Sequence, residues 1–345
     1  MPHPVAVPRE LLDFIRQGAR FFVAGHKEPD GDCVGSQLAL SSALRRLGKQ
    51  AFPCSAGPFK RPEILRYKDR FLTAARVEKK RRQDRGFDRA IILDCSSLCR
   101  AGDIAEAAAG APLAVIDHHA AGQRREGPPD QAVYLDPDAP ATAFMVLDVI
   151  EALGLALTSE EAELLLLGLC ADTGFFRHTG QQGAETFMYA ARMVRAGASP
   201  KRIYDLIHGG KSLGSRYLLG RQLGKTRSRF RGRLLVATED YEDTQRFGMD
   251  GRDSDSLYQL LQTVAEVEAV VVIRQETPDA CAVGFRSKDA VNVAKVAALF
   301  GGGGHKNAAG ASLAGTIETV YPAIIAAFEE AFREAFKDAR WTQMD

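Results

Sequence analysis

Three short apolar runs, each broken off by acids or histidines, constrain the fold of this 345-residue chain more than anything else in it. Residues 20–25 read RFFVAG and run into HKEPDGD. Residues 90–94 read AIILD, and residues 113–117 read LAVID and run into two histidines. Continuous runs of this length suit strands of a parallel sheet covered on both faces. Helical patterns lie between and after them. Residues 36–47 form an amphipathic stretch stopped by Gly48, and helices are expected over 141–153, 159–171 and 183–196. The first half therefore reads as an open α/β sheet.

The pattern changes over 197–215, where GASPKR and HGGKSLGS gather Gly, Ser, Lys and a proline. Beyond it, strands are expected at 234–238, 267–275 and 280–286, and helices at 291–300 and 318–336, which makes a smaller α+β domain. The expected organisation is a catalytic domain over 1–197, a linker over 198–215 and a second domain over 216–345, with an active cleft between the two domains. The tail from Lys337 to Asp345 is expected to pack loosely.

Ligands of parallel α/β sheets bind outside the carboxyl ends of the strands. Here those ends carry His26, Asp30 and Asp32, then Asp94, then Asp117-His118-His119. A helix of the same half ends near Asp172-Thr173-Gly174. A lone Asp at such a place is commonly a helix N-cap, and Asp32 would serve the helix that follows it. Four such places in one domain call for more. Three of the seven histidines sit on these strand ends, and His305 stands in a glycine-rich loop. Imidazole and carboxylate without cysteine favour Mn²⁺, then Mg²⁺ or Co²⁺, over structural zinc. The acids suffice for two ions sharing one bridging Asp, an arrangement that activates water for in-line displacement at phosphorus. In the second half, Gly301 to Gly304 precede His305. Side-chain-free backbone lets amides approach an anion, although part of this run must also cap the preceding helix.

Charge and cysteine usage narrow the function. Lys and Arg number 45 against 44 Asp and Glu, so the chain lacks the bulk field of a protein that coats long nucleic acids, while a local site for short ones remains open. Arg227, Arg229, Arg231 and Arg233 recur with period two, either as a rail for an oligonucleotide or as a solvated face. The longest apolar stretch, 164–171, is far too short to span a bilayer, and the first nine residues hold no apolar leader. Cysteines at 33, 54, 95, 99, 170 and 281 form no CxxC pair and read as free thiols. A cytoplasmic protein is expected.

The segments GHKEPDGDCVGS (25–36), ILDCSS (92–97), VIDHHA (115–120) and LCADTGFFR (169–177) resemble the four motifs of the DHH phosphoesterase superfamily. FGGGGHKNAAG (300–310) resembles the hallmark of the DHHA1 domain that follows it. All five stand in family order, and the two-domain size is most similar to the oligoribonuclease/pAp-phosphatase (nanoRNase) branch. The resemblance implies that His26 and Asp30 hold one metal, that Asp32, His118 and Asp172 hold the other, and that Asp94 bridges both. It implies that His119 lies beside the substrate phosphate, a division that position alone does not make between neighbouring histidines. Asp117 is expected to orient a ligand or the strand end. By the same resemblance Arg286 and Ser287 contact the substrate phosphate or terminal nucleotide; Gly302, Gly303, Gly304 and His305 are expected to cradle a phosphate or nucleotide, and Arg177, at the end of the fourth segment, is a candidate for the scissile phosphate. The implied activity is hydrolysis of short oligoribonucleotides to 5′-mononucleotides and of 3′-phosphoadenosine 5′-phosphate (pAp) to AMP. The alternative is a phosphodiesterase for cyclic or linear dinucleotides such as c-di-AMP or pApA. A homodimer is expected, with the apolar helices of 141–171 as its face.

Overall fold

The computed structural model describes residues 6–83, 86–119, 131–179 and 183–336. The expected loose tail at 337–345 lies outside them. The chain divides into two compact units, Met1–Gly210 and Lys211–Asp345.

In the first unit, β1 (Arg20–Ala24), β2 (Gln50–Cys54), β3 (Arg89–Leu93), β4 (Leu113–Asp117) and β5 (Ala132–Leu135) form a parallel sheet in the order β2-β1-β3-β4-β5. The sheet grows from β1 to one side and then resumes on the other, so the strand order reverses between β1 and β3. That reversal is the topological switch point at which such sheets bind ligands. Both faces are covered, as the continuous apolar runs demanded. One face packs against the helices Gly31–Arg46 and Thr142–Ala152, on which the Ser159–Asp172 helix packs in turn. The other packs against Val77, Ala101 and Ile104.

Phe144 to Leu147 and Leu164 to Leu167 are buried in the unit's own core, which accounts for their apolar character. The segment expected as a linker contains a further helix, Pro200–His208, whose Ile203 is buried in the same core. No disulfide joins cysteines among the described residues, and of the six only Cys99 is exposed.

In the second unit, β6 (Arg227–Arg229), β7 (Leu234–Glu239), β8 (Ala269–Thr277), β9 (Ala280–Ser287), β10 (Gly303–His305) and β11 (Ala308–Ala314) form a mixed sheet in the order β10-β11-β9-β8-β7-β6. Only β7 and β8 run parallel. The helices Val293–Ala298 and Ile317–Ala335 cover one face, and Leu257, Tyr258 and Leu261 cover β7 and β8 on the other. The arginine series does not continue as one extended face. The backbone turns at Phe230 and Arg231, both at positive φ, and Arg227 and Arg229 lie over the Tyr321 ring.

Candidate metal centre

Three neighbouring strands deliver the central residues. β1 leads into His26, β3 into Asp94, and β4 ends on Asp117 ahead of His118 and His119. Asp94 takes a φ of +59°, in the left-handed region that costs a side-chain-bearing residue energy, and its amide is tied to the Ile116 carbonyl at 3.0 Å. The carboxylate is nearly buried. One oxygen lies 3.4 Å from His26 Nε2, and the other lies 3.5 Å from His118 Nε2 and 3.7 Å from His119 Nδ1.

Two helix termini complete the cluster. Asp30, not Asp32, is the N-cap of the Gly31–Arg46 helix, accepting from the amides of Asp32 and Cys33 at 3.1 Å each. Asp32 points across to a different helix, where its oxygens accept from the amides of Thr142 at 2.6 Å and Ala143 at 2.8 Å. A carboxylate at a helix N-terminus is favoured by the helix dipole. Asp172 stands at the opposite kind of place, the last residue of the Ser159–Asp172 helix, where the dipole disfavours an anion. It lies 3.0 Å from His118 Nε2. The two helices meet closely because Gly168 has no side chain. A Cβ there would stand 2.6 Å from Asp32 Oδ1 and 2.8 Å from the Ala143 Cβ.

The electrostatics are those of a site short of positive charge. Burial pushes the Asp32 carboxyl well up, and Asp94 and Asp172 push it further. Burial also raises Asp94, against the pull of His26. Burial pulls His118 down, but Asp172, Asp32 and Asp94 outweigh it and lift the imidazole to about 10. His26 is raised in the same sense, burial being overcome by Asp30 and Asp94. Asp30 is pushed up by burial, yet His26 and the Cys33 amide hold it down at about 2.

These donors fit a divalent cation. His118 Nε2 is buried, with carboxylate oxygens of Asp172 and Asp94 within 3.5 Å and no well-aligned hydrogen bond among the described residues. The atoms converge on shared space rather than on one another. Three overlapping donor sets, His26–Cys33–Asp94, Asp94–His118–His119 and Asp32–His118–Asp172, each keep their atoms within 4.8 Å. The oxygens and imidazoles are of the hard-to-borderline type.

The two adjacent histidines differ. His118 is mostly buried, with Nδ1 3.2 Å from the Ala139 carbonyl. His119 is 47 % exposed, with Nδ1 2.7 Å from Asp117 Oδ1. The same Asp117 oxygen accepts the His119 amide, so a fully buried carboxylate fixes the loop. The hydrogen bond to Asp117 raises His119 despite its partial burial. Arg177 is exposed, with its guanidinium 3.0–3.2 Å from His178 Nε2, and forms no ion pair among the described residues.

Sequence reasoning missed Thr142, whose hydroxyl donates to Asp94 at 3.1 Å while its amide serves Asp32. The available signal was a Thr at the start of an apolar helical run, a capping pattern. It also missed Cys33, which stands next to His26 and Asp94.

In the second unit the four glycines are put to different uses. Gly301, at φ +70°, ends the Val293–Ala298 helix, and the amides of Gly301 and Gly302 are taken by the carbonyls of Ala298 and Ala297. Those two amides are therefore not free for an anion. Gly303, Gly304 and His305 form the exposed edge strand β10. Ser287 is 3 % exposed, and its hydroxyl donates to the Val291 carbonyl at 2.7 Å, so it holds the turn rather than facing a ligand. Arg286 donates to the Phe285 carbonyl and lies 4.6 Å over the Tyr258 ring.

A parallel sheet with buried acids and imidazoles at its switch point, followed by a mixed-sheet unit, defines a class of metal-dependent hydrolases. Residues 20–169 match the model of the DHH family, N-terminal domain, and residues 232–334 match that of the DHHA1 domain. The chain belongs to the DHH/DHHA1 phosphoesterase family and is a metal-dependent phosphoesterase. It is 31 % identical over 316 residues to the bifunctional oligoribonuclease and PAP phosphatase NrnA of Thermus thermophilus, covering 90 % of this chain and 89 % of that protein. It is 23 % identical over 323 residues to the cyclic-di-AMP phosphodiesterase GdpP of Bacillus subtilis, covering 90 % of this chain but 47 % of that protein. An exopolyphosphatase-related protein of Bacteroides fragilis shares the fold, with a TM-score of 0.79 at 20 % identity over 96 % of this chain and 97 % of the other.

Proposed function

We propose that the chain hydrolyses short oligoribonucleotides to 5′-mononucleotides, and pAp to AMP, with two Mn²⁺ ions per site. The observation that carries this reading is Asp94, whose two oxygens face different histidines. His26 and Asp30 would hold one ion, and His118, Asp172 and Asp32 the other, with Asp94 shared. Asp32 Oδ2, which accepts from the Thr142 amide, retains a second lone pair for this purpose, whereas Oδ1 accepts from both the Ala143 amide and the Ser36 hydroxyl. When bound, the ions supply a water ionised near neutral pH and positive charge against the phosphoryl oxygens.

The protein's own groups do the rest. Thr142 orients the Asp94 carboxylate through its hydroxyl. Asp117 holds His119 by Nδ1, which leaves Nε2 for a phosphoryl oxygen or the leaving group. Arg177 is a further candidate for the scissile phosphate. Arg286 and His305 contact a nucleotide beyond the reacting phosphate. Binding energy from such a remote contact positions the reacting group, so its loss lowers kcat as well as raising KM.

The similarity to NrnA over nearly the full length of both chains favours this substrate class. The similarity to GdpP favours a second reading, a phosphodiesterase for cyclic or linear dinucleotides. One panel separates them: purified protein and Mn²⁺ with RNA of graded length, pAp, c-di-AMP, pApA and pyrophosphate. Turnover of two- to four-mers and pAp at least ten times faster than of c-di-AMP is the expected result. Preference for c-di-AMP would favour the second reading, and equal rates on a trimer and a long RNA would overturn the length selection.

A further inference from the structure

We propose that Tyr258 positions Arg286 for substrate, by offering its ring as a shelf for the guanidinium; this rests on the reading of Arg286 as a substrate contact. Tyr258 lies on the Ser254–Gln262 helix and is 5 % exposed, buried with Leu257, Leu261, Val270 and Val272. Gly284 and Arg286 are two apart on β9 and so share a face. Their register partners on β8, Val272 and Val270, belong to the same buried cluster as Tyr258.

The ring reaches this place because Gly284 has no side chain. A Cβ on Gly284 would stand 2.0 Å from Tyr258 Oη and 3.3 Å from Cζ. Tyr258 thus crosses β9 over the glycine and presents its face to Arg286, 4.6 Å away. The phenol oxygen is buried on the side of the Arg274 guanidinium, which leaves the ring face to Arg286.

Several arginines of this unit are neutralised by acids, and Arg286 is not one of them. Arg252 is paired with Glu239 and Glu276, Arg216 with Asp253, and Arg221 with Asp243. Arg286 forms no ion pair among the described residues. Its partners are the Phe285 carbonyl and the Tyr258 ring. A guanidinium on an aromatic face keeps its full charge and its edge for a bidentate anion, while losing the freedom that a long side chain gives up on binding. A carboxylate partner would hold it as firmly but cancel the charge a phosphate needs.

The test uses full-length protein with Mn²⁺, a ribotrinucleotide and bis(p-nitrophenyl) phosphate. Tyr258→Leu is expected to lower kcat/KM on the trinucleotide about 2- to 30-fold more than on the generic diester, mainly through KM. In an Arg286→Ala background the same change should cost less than about 2-fold, because the shelf then has nothing to hold. Gly284→Ala should reproduce the defect by displacing the phenol, and adding Tyr258→Phe, which removes the clashing oxygen, should recover most of it. That rescue keeps the test valid should Tyr258→Leu fail to fold. Equal losses on both substrates, full cost of Tyr258→Leu without Arg286, or no rescue of Gly284→Ala would each overturn the proposal. An unaffected Arg286→Ala would instead overturn the underlying reading of Arg286, and the proposal with it.

Discussion

At the scale of residues, the cluster is arranged around one acid. Asp94 faces His26 with one oxygen and His118 with the other. Asp94→Ala is expected to abolish turnover, by roughly 10³-fold or more, with the fold retained. EDTA should do the same, and Mn²⁺ should restore the wild type only. Full activity of the variant or of stripped enzyme would defeat the two-ion arrangement. The neighbouring histidines should part company: His118→Ala should lose metal by elemental analysis, whereas His119→Ala should keep it and lose kcat. Equal metal loss in both would refute that division. The acids and histidines were legible in the sequence because each follows an apolar run. Which histidine turns inward was not, since it depends on a hydrogen bond from His118 Nδ1 to Ala139, twenty-one residues away.

At the scale of elements, helix packing sets the spacing of the acids. The Gly31–Arg46 and Ser159–Asp172 helices approach so closely that Gly168 touches Asp32. Gly168→Ala is expected to cost about 1–3 kcal/mol by overpacking. Thermal unfolding should show this as a fall of roughly 2–4 °C per kcal/mol, and calorimetry should show weaker metal binding. An unchanged melting temperature with unchanged metal affinity would show that the crossing tolerates a methyl. The sequence placed the start of the first of these helices at 36, five residues late. DGDCVGS reads as a turn from its glycines and aspartates, and only the tertiary contact makes Gly31 and Gly35 helical. The strands β2 and β5 were missed for a related reason. Residues 50–54 contain a proline, and residues 132–135 are four edge residues, too few for a period to emerge.

At the scale of the whole molecule, the two units are stabilised differently. The first rests on an apolar core around its sheet. The second adds acids held by several cations: Asp243 by Arg221 and Lys225, and Asp253 by Arg216 and Lys211. Burial pushes both carboxyls up. The hydrogen bond and charge of Lys225 and Arg221 nonetheless hold Asp243 below its ordinary 3.8, and Ser256 with Arg216 and Lys211 does so for Asp253. A carboxyl depressed in the fold contributes stability that is present above its unfolded value and lost as pH falls through the folded one. The second unit is therefore expected to lose stability below about pH 4, with denaturant midpoints falling over that range. Asp243→Asn should flatten the dependence. A midpoint insensitive to acid would show that these pairs contribute nothing net. An α/β unit followed by an α+β unit was readable from the change in pattern near residue 200. The boundary itself was not, because the Pro200–His208 helix buries little beyond Ile203 and its flanks look like linker.

The reach of Asp32 also orders events in time. Its carboxylate is buried and rests on amides 110 and 111 residues further along the chain. On a ribosome, the first three strands emerge long before those amides do. Until Thr142 and Ala143 arrive, a nascent chain that closed around Asp32 would enclose an anion without its donors, a costly state. The growing polypeptide has to keep this end of the sheet open to water until the distant helix is made. The same stretch of translation completes the list of acids, since Asp172 ends the very next helix. A nascent chain thus completes its set of candidate metal donors at nearly the moment when it becomes able to close.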